Sequence, residues 1–186
     1  MPKSLPDYLT DGLDIVSIGI NPSRYSVERG FYFARPGNRF WPTLNASDLV
    51  PEKLDPGIAA IETLFNHYRI GFTDVVKRAT ARAEELDDSD FEKGARLLKR
   101  ELERYQPLIA WFHGKSGFDR FLRAAMRLER PTALGLQPEG IGTTRIFVTP
   151  NPSGANPAAN PKALLPWYRD LAQLREQLRR GRRCRE

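Results

Sequence analysis

Apolar residues follow two rhythms along this chain. Short runs rich in β-branched and aromatic residues occupy Leu13 to Ile20, Leu108 to Phe112 and Arg145 to Thr149, with a weaker one at Arg69 to Phe72. Their length and near-continuous apolarity predict strands buried on both faces. Between them the spacing changes to three and four. Phe91, Ala95, Leu98, Leu102 and Tyr105 form one helical stripe, opened by a capping box from Ser89 to Glu92. Phe118, Phe121, Leu122 and Ala125 form a second, and Leu164, Tyr168, Leu171, Leu174 and Leu178 a third. Phe40 and Trp41 read as helix packing, Trp111 and Phe112 as strand core. Strands alternating with amphipathic helices predict an α/β fold: a small, mostly parallel central sheet flanked by helices on both faces. With no internal repeat and no long linker, residues 1–186 read as a single domain, and 179–186 as a basic, poorly ordered tail.

Composition mainly narrows the classes. A chain of 186 residues can bury a full core without covalent staples. One cysteine, Cys184, and two histidines, His67 and His113, exclude a disulfide framework and are too few for a zinc site; no metal and no cofactor are expected. No stretch approaches the roughly 20 apolar residues of a membrane span, and none reads as a secretory signal. A cytoplasmic monomer is the expectation. The net charge of +6, from 29 basic and 23 acidic residues, points to an acidic partner such as nucleic acid. Seven arginines and three acids between Arg169 and Glu186 hold +4 of it, however, and a solvated helix end accounts for those as well.

Ligands of such sheets gather at the carboxyl ends of the strands, so the loops after Ile20, Phe112 and Thr149 should share one rim. They run from Asn21 to Arg24, His113 to Ser116 and Pro150 to Gly154, all polar and sharply turning. Gly114-Lys115-Ser116 is not a Walker loop, because Ile109 stands where the first glycine is required. Lys115 can still meet a phosphate as a point charge. Residues 17–41 join an amide, a rigid turn, the aromatic run Phe31 to Phe33, and the cations Arg35 and Arg39. Those are the parts that hold a flat polar ring near a polyanion.

The motifs Gly19 to Ser23, Gly30 to Phe33, Pro36 to Trp41, Gly71 to Arg78, Gly114-Lys115 and Asn151 to Gly154 occur in this order. The combination resembles the mismatch-specific uracil-DNA and thymine-DNA glycosylases of the uracil-DNA glycosylase superfamily, over most of the chain. The resemblance implies an enzyme that flips a damaged base out of double-stranded DNA and hydrolyses its N-glycosidic bond. It implies that Asn21 positions the attacking water and that Phe33 stacks on the flipped base. The loop carrying Asn151, Ser153, Gly154, Ala155 and Asn156 would enter the duplex as a wedge, with Lys115 and Arg39 against phosphates. The partner would be DNA containing uracil or a mismatch, with G·U preferred because weakly paired bases flip at least cost.

The chemistry of the residues adds to this. Cleaving a base from deoxyribose needs donors at the base oxygens, which backbone N–H groups at Ile20 and Asn21 and around Phe31 could supply. An amide holds water but cannot take its proton, so a carboxylate is wanted nearby. Asp74 is the candidate, although a helix N-cap is the competing reading of the same residue. Ser23 stands where relatives often carry glycine, and its hydroxyl could narrow the pocket against a methyl group. A wedge tipped with Gly154, Ala155 and Asn156 should insert weakly. No lysine lies in the Asn21 or Phe33 segments, so a Schiff-base lyase step is not expected. Two alternatives stay open: a glycosylase for hypoxanthine or etheno-cytosine, and a non-catalytic nucleic-acid-binding module.

Overall fold

The computed structural model describes residues 4–183, so Cys184 and the end of the basic tail lie outside it. The strands are β1 (Ile15–Gly19), β2 (Ile70–Asp74), β3 (Ile109–His113), β4 (Gly135–Ile141) and β5 (Thr144–Thr149). They form one sheet in the order β2-β1-β3-β5-β4, parallel except for β4, which pairs antiparallel with β5 at the edge. The helices are α1 (Arg24–Arg29), α2 (Phe40–Ala46), α3 (Ile58–Asn66), α4 (Asp88–Tyr105), α5 (Lys115–Phe121) and α6 (Pro161–Arg183). This is the expected single α/β domain. The period of two along each strand divides the core. Ile15, Phe72, Ile109, Trp111 and Phe147 face Phe40, Leu44, Ile61, Leu164 and Tyr168 of α2, α3 and α6. Val16, Ile18, Ala110, Phe112 and Val148 face Phe91, Leu98, Phe118 and Phe121 of α4 and α5.

Three details depart from the sequence reading. The capping box of α4 is formed by Asp87 and Asp90, not by Ser89 and Glu92: Asp87 Oδ1 accepts from the Asp90 N–H at 2.9 Å and the Asp90 carboxylate accepts from Asp87 N–H. Carboxylates at both positions also complement the positive end of the helix. Strand β4 escaped notice because Pro138 and alternate exposed positions break its apolar run, as an edge strand tolerates. Finally, residues 179–183 continue α6 rather than forming a loose tail. Arg179 is the reason, since it donates to Asp14, a carboxylate only 1% exposed just ahead of β1. Among the described residues no helix is long and apolar enough to cross a membrane.

Candidate functional site

The chain leaves β1 for β2 on one side and later returns to β3 on the other. The loops after β1 and β3 therefore diverge, and a crevice opens between them at the carboxyl rim. The cleft there has a volume of about 750 Å³. Its lining includes Ile20, Asn21, Ser23, Phe33, Asp74, His113, Asn151, Ser153, Ala155 and Asn156. The loops after β1, β3 and β5 thus share one rim, and the end of β2 joins them.

Asn21 is held by the segment after β2. Its Nδ2 donates to Arg78 O at 2.9 Å and to Thr80 Oγ1 at 2.7 Å, while Thr80 N–H donates to Pro22 O and Arg24 N–H to Thr80 O. A carbonyl partner can be served only by the NH₂ end, which settles the orientation of the amide. Oδ1 receives no protein donor among the described residues and stays available as an acceptor.

Asp74 ends β2, and Val75 to Ala79 are not helical, so the helix-cap reading fails. The side chain is 4% exposed. Its carboxylate lies over Gly19, where an added Cβ would collide with Oδ1. Burial pushes its pKa up to about 7, against a lowering influence of Lys77 and a raising one of Asp7. Lys77 itself is engaged by Asp7 and Thr73 and lies outside the cleft lining.

Phe33 has a backbone φ of 58°, uncommon for a bulky residue and of the kind found where structure over-determines a site. Phe40 stacks on one face at 4.0 Å between centroids and 11° between planes. His113 meets Phe33 at 5.0 Å and 67° and lies 5.8 Å from Phe40. Those three separations put His113 beside the Phe33 ring rather than over its second face; Tyr32 lies 6.4 Å away at 50°, and Phe33 lines the cleft.

The structure does not bring every candidate to this place. Phe31 is absent from the cleft lining; its ring packs edge-on against Trp41 and its N–H donates to Ser26 O. Ser23 lines the cleft, but its hydroxyl is spent as the N-cap of α1, accepting from Ser26 N–H at 3.1 Å and donating to Ser26 Oγ. Arg39 is half-buried and braces the loop after β5 from within. Its Nη1 donates to Ser153 O at 2.9 Å and Asn156 O at 2.7 Å, while no carboxylate pairs with its charge among the described residues. The same loop folds on itself through Asn151 and Asn156 side chains, and exposed Gly154 approaches Gly37. Lys115 is exposed at the start of α5. It follows Gly114, whose φ of 100° disfavours a side chain and where an added Cβ would come within 3.0 Å of Asn151 Cβ.

His113 is the residue that sequence reasoning passed over as a site residue. It ends β3, is 3% exposed, lines the cleft, and shares a hydrogen bond of 2.8 Å between Nε2 and Ser17 Oγ. Burial lowers its pKa to about 3, so the ring is neutral at physiological pH. The signal was available in principle, as a polar residue ending an apolar strand on the rim.

A sheet of this order with a cleft on its carboxyl rim defines a ligand-binding α/β domain. The chain is similar in fold to the solution structure of a Methanosarcina acetivorans protein provisionally assigned as a uracil DNA glycosylase. The TM-score is 0.59 at 22% identity, over 95% of this chain and 98% of that one. Residues 6–172 match the uracil DNA glycosylase superfamily, and the chain belongs to that family.

Proposed function

We propose that this protein is a monofunctional DNA N-glycosylase that removes uracil, preferentially from G·U mismatches, in the manner of the mismatch-specific branch of its superfamily. The observation that carries the proposal is the meeting of three groups in one cleft: a buried carboxyl poised near neutral pH, an amide oxygen without a donor among the described residues, and an aromatic ring held by Phe40 stacked on one of its faces. In this reading the base stacks on the second face of Phe33. Asn21 Oδ1 and the Asp74 carboxylate hold one water molecule. Its oxygen bonds to C1′ as the C1′–N bond breaks, the electron pair leaves with the base, and Asp74 takes the proton. The loop with Asn151, Ser153, Gly154, Ala155 and Asn156 faces the gap left in the duplex, with exposed Lys115 against a phosphate. G·U is favoured because a weakly paired base costs least to extrude. Among the described residues no lysine lines the cleft, which supports hydrolysis without strand cleavage.

The test uses labelled duplexes carrying G·U, A·U, G·T, hypoxanthine or etheno-cytosine, followed by alkaline cleavage of abasic sites. Product fastest from G·U is expected. Product only from hypoxanthine or etheno-cytosine would move the substrate to that base, and product from none would make the protein a binding module.

A further inference from the structure

Away from the cleft, a buried cation lacks partners. Among the described residues Arg175 Nε and Nη1 have no hydrogen-bond partner, in a residue only 5% exposed. Buried donors of this kind call for a ligand or water to complete them. Arg175 lines a second cavity, of about 540 Å³, with Asn45, Ser47, Asp48, Tyr68 and Arg179. Tyr68 stands just ahead of β2, and Arg179 is tied to Asp14 just ahead of β1. This cavity therefore sits at the amino rim of the sheet, opposite the cleft.

The other polar side chains around it are engaged. Asn45 Nδ2 donates to Leu54 O and its Oδ1 accepts from Leu54 N–H, each at 2.9 Å. Ser47 Oγ donates to Leu44 O at 2.8 Å, and Tyr68 OH donates to Glu52 at 2.6 Å. Arg179 is held by Asp14 and Glu176, and exposed Asp48 faces Arg169 at 3.8 Å. Arg175 has less. Its Nη2 donates to Leu49 O at 3.0 Å. Its carboxylate neighbour, Glu176 Oε1, lies 3.6 Å from Nε and already accepts from Arg179 at 2.9 Å. One carboxylate oxygen thus serves two cations. Burial, and after it Arg179, lower the pKa of Arg175 from the usual arginine range, against raising influences of Glu176 and Asp14. A guanidinium keeps its charge at physiological pH all the same. What the cavity lacks is an acceptor, and an anionic one would meet both the open donors and the uncompensated charge.

We propose that the amino-rim cavity binds a small molecule through an oxyanion, a carboxylate or a phosphate group, with Nε and Nη1 of Arg175 as its donors. The planar fork of a guanidinium suits either group. The volume exceeds that of a single ion, so the ligand has room for a body beyond its anionic head. The site is separate from the proposed glycosylase chemistry, because the five residues of β1 put roughly 16 Å between the two rims. A nucleotide held in the cleft does not reach it.

The probes are sodium phosphate and sodium acetate, each titrated at constant ionic strength with chloride as the balancing salt. In ¹⁵N-labelled wild-type protein, the Nε–H signal of Arg175 should shift saturably with at least one of them, while that of exposed Arg96 follows ionic strength alone. A response to phosphate only would identify the ligand as a phosphorylated compound, and a response to acetate only as a carboxylic acid. The same anion should raise the melting midpoint of wild type, and Arg175→Leu should weaken that apparent affinity about 10-fold or more. If Arg175→Leu does not fold, Arg175→Lys replaces it, keeping the charge but not the fork, and the same loss is expected. No shift at Arg175 with either probe, or an equal one at Arg96, would overturn the proposal and leave water as the partner of the guanidinium. Reversal of the Arg175 shift by added duplex DNA would make the residue a DNA contact and overturn the separate site.

Discussion

At the scale of single residues, Asp74 makes the sharpest claim. Its carboxyl titrates near 7 in the folded chain and near 3.8 when unfolded. Between those values the folded state binds the extra proton, so stability falls as pH rises from about 4 to 7 and levels off above. Asp74→Asn carries no ionisable group there. It should raise the melting midpoint relative to wild type at pH 8 and change it little at pH 4. A general base acts only when ionised, so the wild-type single-turnover rate should climb with pH through about 7 and then flatten. Asp74→Asn should lose that rise and about 10²–10⁴-fold in rate. A flat wild-type profile would remove Asp74 from the chemistry. In the proposed mechanism Asn21 has two jobs, and its substitution should show both. Asn21→Ala is expected to lower the rate on the order of 10²-fold through the water. It should also cost about 1–2 kcal/mol of stability through the lost bonds to Arg78 O and Thr80. Denaturant titration beside the rate separates the two.

At the scale of elements, the loop from Asn151 to Pro157 is positioned by the segment before α2. Arg39 spans Ser153 O and Asn156 O, and its own N–H donates to Pro152 O. Arg39→Ala should speed amide exchange in that loop and, if the guanidinium acts only as a brace, weaken DNA binding without altering the dependence on salt. Lys115→Ala should instead lower the salt slope by about one unit. A reduced slope for Arg39→Ala would restore it to the phosphate contacts. Sequence pattern could place Arg39 near the site but not choose between these roles. The deciding partners are carbonyl groups more than a hundred residues away, and a carbonyl leaves no mark in the spacing of side chains. The same holds for Ser23, whose hydroxyl reads as a pocket group until α1 begins at Arg24 and claims it as a cap.

At the scale of the whole molecule, Arg179 near the end of α6 anchors at the rim opposite the cleft. Arg179 joins Asp14, which precedes β1, whereas the cleft follows β1, roughly 16 Å away across five strand residues. Arg179→Ala should therefore destabilise the fold by about 2–4 kcal/mol, leaving a buried carboxylate with only Arg69 at 3.7 Å. The salt slope of DNA binding should not move. A lower slope with normal stability would show the helix end on the duplex. What the sequence determined by itself was periodic or compositional: strands Leu13 to Ile20, Leu108 to Phe112 and Arg145 to Thr149, the helical stripes between them, and the common rim of their loops. Apolar spacing reports burial directly, and a parallel sheet with helices on both faces has few other ways to connect. What only the tertiary structure decided were partnerships across the chain. Asp74 became a buried acid because it packs over Gly19 at the end of β2, Arg39 a brace, and His113 a neutral imidazole tied to Ser17. Each depends on which atoms meet and on how much water is excluded, and those follow from packing in three dimensions rather than from the order of residues.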